Sequence, residues 1–169
     1  LLKSGLTNNE FFVSAITGST GSGRNPQAGT HHPERHNNLY AYNPLSHRHV
    51  PEIEALMQKV CQIKASVHFV PHSGPFARGI YVTLQAKMNS LMSTDEIQEV
   101  FHSFYENSEF VSVVDGEPRL KDVVASNNAR IGVTCEGDTV VVMNAIDNLV
   151  KGAAGGALQW MNRLWLLPE

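Results

Sequence analysis

The chain has 169 residues, 42% of them apolar, with a net charge of −3. That length suits one domain with a real core. The lack of a basic stripe or like-charge block argues against nucleic acid, and no apolar run approaches the roughly 20 residues a membrane-spanning helix needs.

The start, "LLKSGLTNN", has no initiator Met and reads as the last turn of a helix, with Gly5 as its stop. The expectation is a domain cut or trimmed from a longer protein. "FFVSAIT" (11–17) is a strand by its bulky and β-branched residues. Residues 18–38 form a long loop rich in Gly, Asn, Pro and His. Loops of that length inside a domain are usually functional or disordered. "YAY" (40–42) is a short strand. Pro51 suits the first position of a helix, and Ile53, Leu56, Met57 and Val60 then predict one buried helical face.

"SVHFVPH" (66–72) is a strand, and "GIYVTLQAK" (79–87) alternates: Ile80, Val82, Leu84 and Ala86 against Tyr81, Thr83, Gln85 and Lys87. That predicts a sheet covered on one face. "STDEIQEVFHSFY" (93–105) carries a capping box, Ser93 with Glu96, and a buried stripe of Ile97, Val100, Phe101 and Phe104. Three strands follow at 110–114, 130–136 and 139–146, the last two joined as a hairpin through Glu136-Gly137-Asp138. The tail reads as a helix capped by Asp147. Its three glycines, Gly152, Gly155 and Gly156, cost about 1 kcal/mol each relative to alanine, so they point to close backbone approach. The sum is an α+β domain: a largely antiparallel sheet of about five to seven strands with helices on one face.

Four constellations can carry chemistry. In His47-Arg48-His49 the two imidazoles point the same way if the segment is extended, with Glu52 in the first helical turn behind them. A metal site, an acid/base site and a solvated loop are all open. Zinc needs further ligands; His31, His32, His36, His68 and His72 are available, but no spacing matches a zinc motif. "TGSTGSGR" (17–24) offers hydroxyls and flexible backbone, yet it is neither a P-loop nor a complete dinucleotide fingerprint. Arg78 enters a strand after Pro71, Gly74 and Pro75, and suits either an anion or a surface ion pair. Asn148 suits a helix cap or an amide contact to a ligand.

Five strings, "AITGSTGSGR" (15–24), "HRHVPEIE" (47–54), "VPHSGPFARGI" (70–80), "ASNNARIGV" (125–133) and "DNLVKGAAGGALQWMN" (147–162), come in the order of the N-acetyl-γ-glutamyl-phosphate reductase family, which the chain therefore resembles. The resemblance implies the α+β catalytic and dimerisation domain of that family, like the C-terminal domain of glyceraldehyde-3-phosphate dehydrogenase. Residues 1–146 would be that domain, and 147–169 a helix packing back on an N-terminal NADP-binding domain. It implies NADPH-dependent reduction of N-acetyl-γ-glutamyl phosphate to the semialdehyde and phosphate through a cysteine thioester. The family's Gly-Cys nucleophile motif would lie just before Leu1, so Cys61 and Cys135 are structural and the chain alone inactive.

The resemblance further assigns His49 as the base paired with the thiol and His47 to a substrate or oxyanion contact, with the roles interchangeable. Glu52 orients an imidazole. Arg48 or Arg78 meets phosphate or the substrate carboxylate, and Thr17 and Gly18 line the substrate. Thr20, Gly21 and Asn148 hold the nicotinamide of NADP. A homodimer or homotetramer in the cytoplasm is implied, with no metal, membrane or nucleic acid. The competing readings are a dimerisation module without activity, a related aspartyl- or aminoadipyl-phosphate reductase, and a zinc hydrolase built on the histidines.

Overall fold

The computed structural model describes residues 1–25 and 27–168. Seven strands form one sheet: β1 (Thr7–Thr17), β2 (Tyr40–Ala41), β3 (Ser66–Ser73), β4 (Ile80–Met88), β5 (Val111–Val113), β6 (Ala129–Glu136) and β7 (Thr139–Ile146), in the order β2-β3-β1-β4-β7-β6-β5. The β1–β3 and β5–β6 pairs are parallel and the others antiparallel. Four helices accompany them: α1 (His32–Arg35), α2 (Val50–Cys61), α3 (Thr94–Tyr105) and α4 (Gly155–Trp165).

The period-2 pattern sorts the sheet into two faces. Phe11, Ala86, Met88, Ile131, Val133 and Val140 form the core with Ile97 and Phe101 of α3, while Leu84 and Val142 pack against it. Phe12, Thr83 and Gln85 point the other way, and they line an open depression with Leu45, His68 and Val70. The alternation along β4 therefore does mark a half-covered sheet. The hairpin is formed as expected: Glu136 pairs with Thr139, and Gly137 takes the left-handed conformation at φ 57°.

The capping box is also present. Glu96 N–H donates to Ser93 Oγ at 3.2 Å, and Ser93 N–H donates to Glu96 Oε2 at 2.7 Å. Three sequence expectations need correction. The 18–38 stretch is not simply loop: it contains 3₁₀ turns at Ser19–Ser22 and Ala28–Thr30 and the short α1. In α3, Val100 and Phe104 are exposed, and Tyr105 packs on the core instead. In α2 the stripe is largely bare: Ile53 is 38%, Leu56 61% and Val60 58% exposed, and of its four residues Met57 alone packs against the core. Helical periodicity identifies an apolar face, but burial also requires an element to lie against it.

The chain starts with a hydrogen-bonded turn over residues 2–5. Leu6 N–H donates to Leu1 O and Gly5 N–H to Leu2 O, both at 3.1 Å, with Gly5 left-handed at φ 70°. This paired 6→1 and 5→2 pattern is a Schellman cap. At the other end, one turn of π-helix (Val150–Ala154) precedes α4. A Cβ on Gly155 would fall 2.1 Å from Asn127 Oδ1, which is the close approach the glycines predicted.

Candidate functional site

The loop after β1 is pinned to the entrance of β4. Gly18 N–H donates to Gly79 O at 2.9 Å, Ser19 N–H to Phe76 O at 2.9 Å, and Thr20 N–H to Ala77 O at 3.1 Å. Gly18 is buried here because nothing larger fits: a Cβ would lie 2.5 Å from Ala77 O. The Thr20 hydroxyl donates to the same Ala77 carbonyl at 2.6 Å.

Asn148 closes this cluster from the end of β7. Its Oδ1 accepts the Gly79 N–H at 2.7 Å, and its Nδ2 donates to Thr20 Oγ1 at 2.9 Å. The amide orientation is thereby fixed, with the second Nδ2 hydrogen free of a hydrogen bond to the chain among the described residues. Gly21 adjoins it: a Cβ there would come 3.5 Å from Asn148 Nδ2 and 3.6 Å from Thr17 Oγ1. Thr17, Gly18, Thr20, Gly21 and Asn148 are thus brought together from sequence positions about 130 residues apart. The glycine leaves room beside a fixed amide donor, a donor set that suits the carboxamide of a nicotinamide.

Asp147 holds Asn148 in place. Its buried carboxylate accepts from the backbone N–H of Ala125 (2.7 Å), Leu149 (2.8 Å) and Val150 (2.9 Å). Arg78 adds a two-point ion pair, Nη2 to Oδ1 and Nε to Oδ2, both 3.1 Å. Burial alone would raise the carboxyl pKa, but the three N–H groups and Arg78 outweigh it and hold it at about 2. Arg78 therefore acts as the partner of Asp147. The helix cap expected of Asp147 is formed, while its grip on Ala125 and Arg78 is not visible in local sequence.

The histidines form a second group at the head of α2. The His47 ring is half-buried against Tyr42 (centroids 5.8 Å apart), Phe69 (5.2 Å) and His49 (4.8 Å). His49 N–H donates to His47 Nδ1 at 3.4 Å, so neutral His47 carries its proton on Nε2. Burial, then the neighbouring His49 and Arg48, lower the His47 pKa and so favour the neutral ring. His49 is exposed, as is Arg48. Glu52 sits exposed in the first turn of α2 and makes no bond to either imidazole among the described residues.

Among the described residues neither cysteine contacts a histidine. Cys61 lies at the far end of α2 beside the N-terminal amine, and Cys135 donates to Met92 O at 3.1 Å. Both also pack against the core. Among the described residues no group of three or more His, Cys, Asp or Glu is placed to hold a metal ion, and no helix is long and apolar enough to cross a membrane.

Sequence reading missed Arg35. It comes from α1 and is 6% exposed, donating through Nη2 to Thr17 O (3.0 Å) and Gly74 O (3.1 Å). Nothing in "HHPERHNN" distinguishes it from a surface arginine.

Comparison with known proteins adds to this geometry. Residues 1–148 match the family described as semialdehyde dehydrogenase, dimerisation domain. The N-acetyl-gamma-glutamyl-phosphate reductase of Phocaeicola vulgatus is 41% identical over the whole chain, which covers 52% of that protein. The enzyme of the same name from Thermoanaerobacter pseudethanolicus is 39% identical, again over the whole chain and 50% of that protein. The chain thus spans about half the length of the curated relatives it matches. Among solved structures, aspartate semialdehyde dehydrogenase from Francisella tularensis superposes with a TM-score of 0.73 at 14% identity, covering 97% of this chain and 59% of that one. Aspartate semialdehyde dehydrogenase II from Vibrio cholerae gives 0.71 at 12% identity, covering 94% and 55%. At such identities the likeness establishes the α+β fold.

Proposed function

The chain belongs to the semialdehyde dehydrogenase dimerisation-domain family, and from that premise we propose that it is the catalytic and dimerisation half of an N-acetyl-γ-glutamyl-phosphate reductase. The reaction is reduction of the acyl phosphate to N-acetylglutamate semialdehyde with release of phosphate, in the cytoplasm. The identity of 41% and 39%, over the whole of this chain and about half of each relative, to reductases of that name carries this reading.

The thiol nucleophile is assigned to the half of the reductase polypeptide outside these residues. The bare stripe on α2 supports this. β1 and β3 are adjacent and parallel, and α2 leads into β3. A helix leading into β1 would run alongside α2, covering Ile53, Leu56 and Val60. The Leu1 amine is near Cys61, at the end of the 12-residue α2 opposite His49. At about 1.5 Å per residue, a position roughly a dozen residues before Leu1 comes level with His49.

His49 then serves as the base that ionises the thiol and later handles the proton of the semialdehyde-forming step. His47, kept neutral, donates through Nε2 to the substrate carbonyl oxygen as it becomes an oxyanion. NADPH supplies the hydride when bound. Asn148 Nδ2 and the room beside Gly21 hold its carboxamide, with Thr20 fixing the amide. Residues 1–146 form the domain and 147–169 its helix toward the nucleotide-binding half, where Trp160, Leu164 and Trp165, all at least 66% exposed, find cover. The open sheet face, where Phe12 is 52% exposed, is the self-association surface.

The test is NADPH oxidation by the full-length polypeptide that carries this chain. Oxidation dependent on N-acetyl-γ-glutamyl phosphate is expected. Dependence on aspartyl phosphate instead would replace the substrate assignment, and no turnover with dimerisation intact would favour the module without activity.

A further inference from the structure

We propose that Arg35 is the anion-binding group at the centre of the site, where it pairs with a carboxylate or phosphate of the substrate. The proposal rests on the acyl-phosphate reductase reading above. Arg35 is 6% exposed, yet no carboxylate pairs with it among the described residues. Its Nη2 is used by Thr17 O and Gly74 O, but its Nε is buried without a hydrogen-bond partner. A buried guanidinium always carries its charge, and carbonyl dipoles offset only part of the cost of desolvating it. The Oγ of Ser73, the residue before Gly74, is likewise buried without a partner.

Arg35 also stands between the two groups of site residues. On one side it holds the carbonyl of Thr17, whose hydroxyl borders Gly21 near the Asn148 amide. On the other it is close enough to Tyr42 to oppose the burial that raises that phenol's pKa, and Tyr42 packs on His47. An anionic substrate lying between the Asn148 amide and the imidazoles therefore passes the unpaired guanidinium. A carboxylate or phosphate there supplies the negative charge that the two carbonyl partners do not. Arg78, by contrast, is already neutralised by Asp147.

The experiment uses the full-length reductase run in reverse, with semialdehyde, NADP and phosphate. The wild type is compared with Arg35→Met and Arg35→Lys on N-acetylglutamate semialdehyde and on 4-acetamidobutanal, which lacks only the carboxylate. If Arg35 reads the carboxylate, the wild type prefers the acid by about 10²-fold in kcat/KM, and Arg35→Met brings that ratio near one. If it reads phosphate, the ratio holds and the KM for phosphate rises about tenfold or more. Equal losses on both aldehydes with an unchanged phosphate KM would mean that Arg35 merely ties Thr17 to Gly74, and would overturn the proposal. Arg35→Lys keeps the charge and decides the matter if Arg35→Met fails to fold. A wild type without reductase activity refutes the reductase reading. Arg35 is then judged by calorimetric binding of N-acetylglutamate and of phosphate: affinity for either that Arg35→Lys weakens supports the anion site, and none overturns it.

Discussion

Asp147 and Arg78 meet in a two-point ion pair at 3.1 Å, 69 residues apart in the chain, and the next residue along is the Asn148 that binds Gly79. The pair locks the end of β7 to the entrance of β4 where the candidate site is assembled. Asp147→Ala leaves Arg78 without its partner and strips acceptors from Ala125, Leu149 and Val150. A loss of about 3 kcal/mol is expected, the scale for breaking a largely buried pair, measured by urea unfolding.

The same carboxylate sets an acid limit. Folded, it titrates at about 2; its ordinary value is 3.8. Its stabilising contribution is therefore complete above the ordinary value and is lost as pH falls through that window toward 2. Asp147→Asn should flatten the stability slope over that window. A slope as steep as the wild type's would show that other carboxylates cause it.

Gly18→Ala tests the loop. The added methyl meets Ala77 O at 2.5 Å and Arg78 N at 2.9 Å, both backbone atoms that cannot rotate away. The loop must lift from the β4 entrance, which costs about 1–3 kcal/mol by the usual scale of overpacking and, with the loop in its proposed cofactor role, weakens NADP binding by the full-length polypeptide. Unchanged melting and unchanged NADP affinity would contradict the described packing.

The architecture was readable where local rules decide it. The alternation in β4, the Ser93–Glu96 box, the Gly137 turn and the Gly5 stop all rest on interactions within a few residues, and all are present. On α2 the sequence shows an apolar stripe but not whether it is covered, because periodicity carries no information about which element lies opposite. The site was legible in part. The Thr20–Asn148 contact spans 128 residues, and the resemblance, not the spacing, joined the two. Arg35 was invisible because its burial arises from a fold-back of α1 onto the ends of β1 and β3 that leaves no periodic mark.

The bare α2 stripe makes a prediction of its own. Leu56→Glu and Val60→Glu should change the stability of residues 1–169 by no more than about 0.5 kcal/mol, as for other surface positions. In the full-length polypeptide the same changes should destabilise by about 2 kcal/mol or more, because a charge would be buried against the helix proposed to lead into β1. Parallel thermal melts of both forms check this. Equal effects in both would remove that helix from α2.

On the open sheet face, Phe12 stacks on His68 with ring centroids 4.7 Å apart. Phe12→Glu should weaken self-association about tenfold or more, the loss expected when an aromatic anchor is replaced by a charge, while leaving the fold intact. Sedimentation velocity across a concentration series measures it, and an unchanged oligomer would place the interface elsewhere.

The most direct measurement is the turnover of His49→Asn against the wild type in the full-length enzyme, followed as NADPH oxidised on addition of N-acetyl-γ-glutamyl phosphate. His49 is exposed at the head of α2 and supports no core packing, so folding should survive the change. A fall in kcat of about 10²–10⁴-fold, the scale for losing an acid/base group, is predicted. A variant that turns over within a few-fold of the wild type would contradict the role given to the imidazole pair.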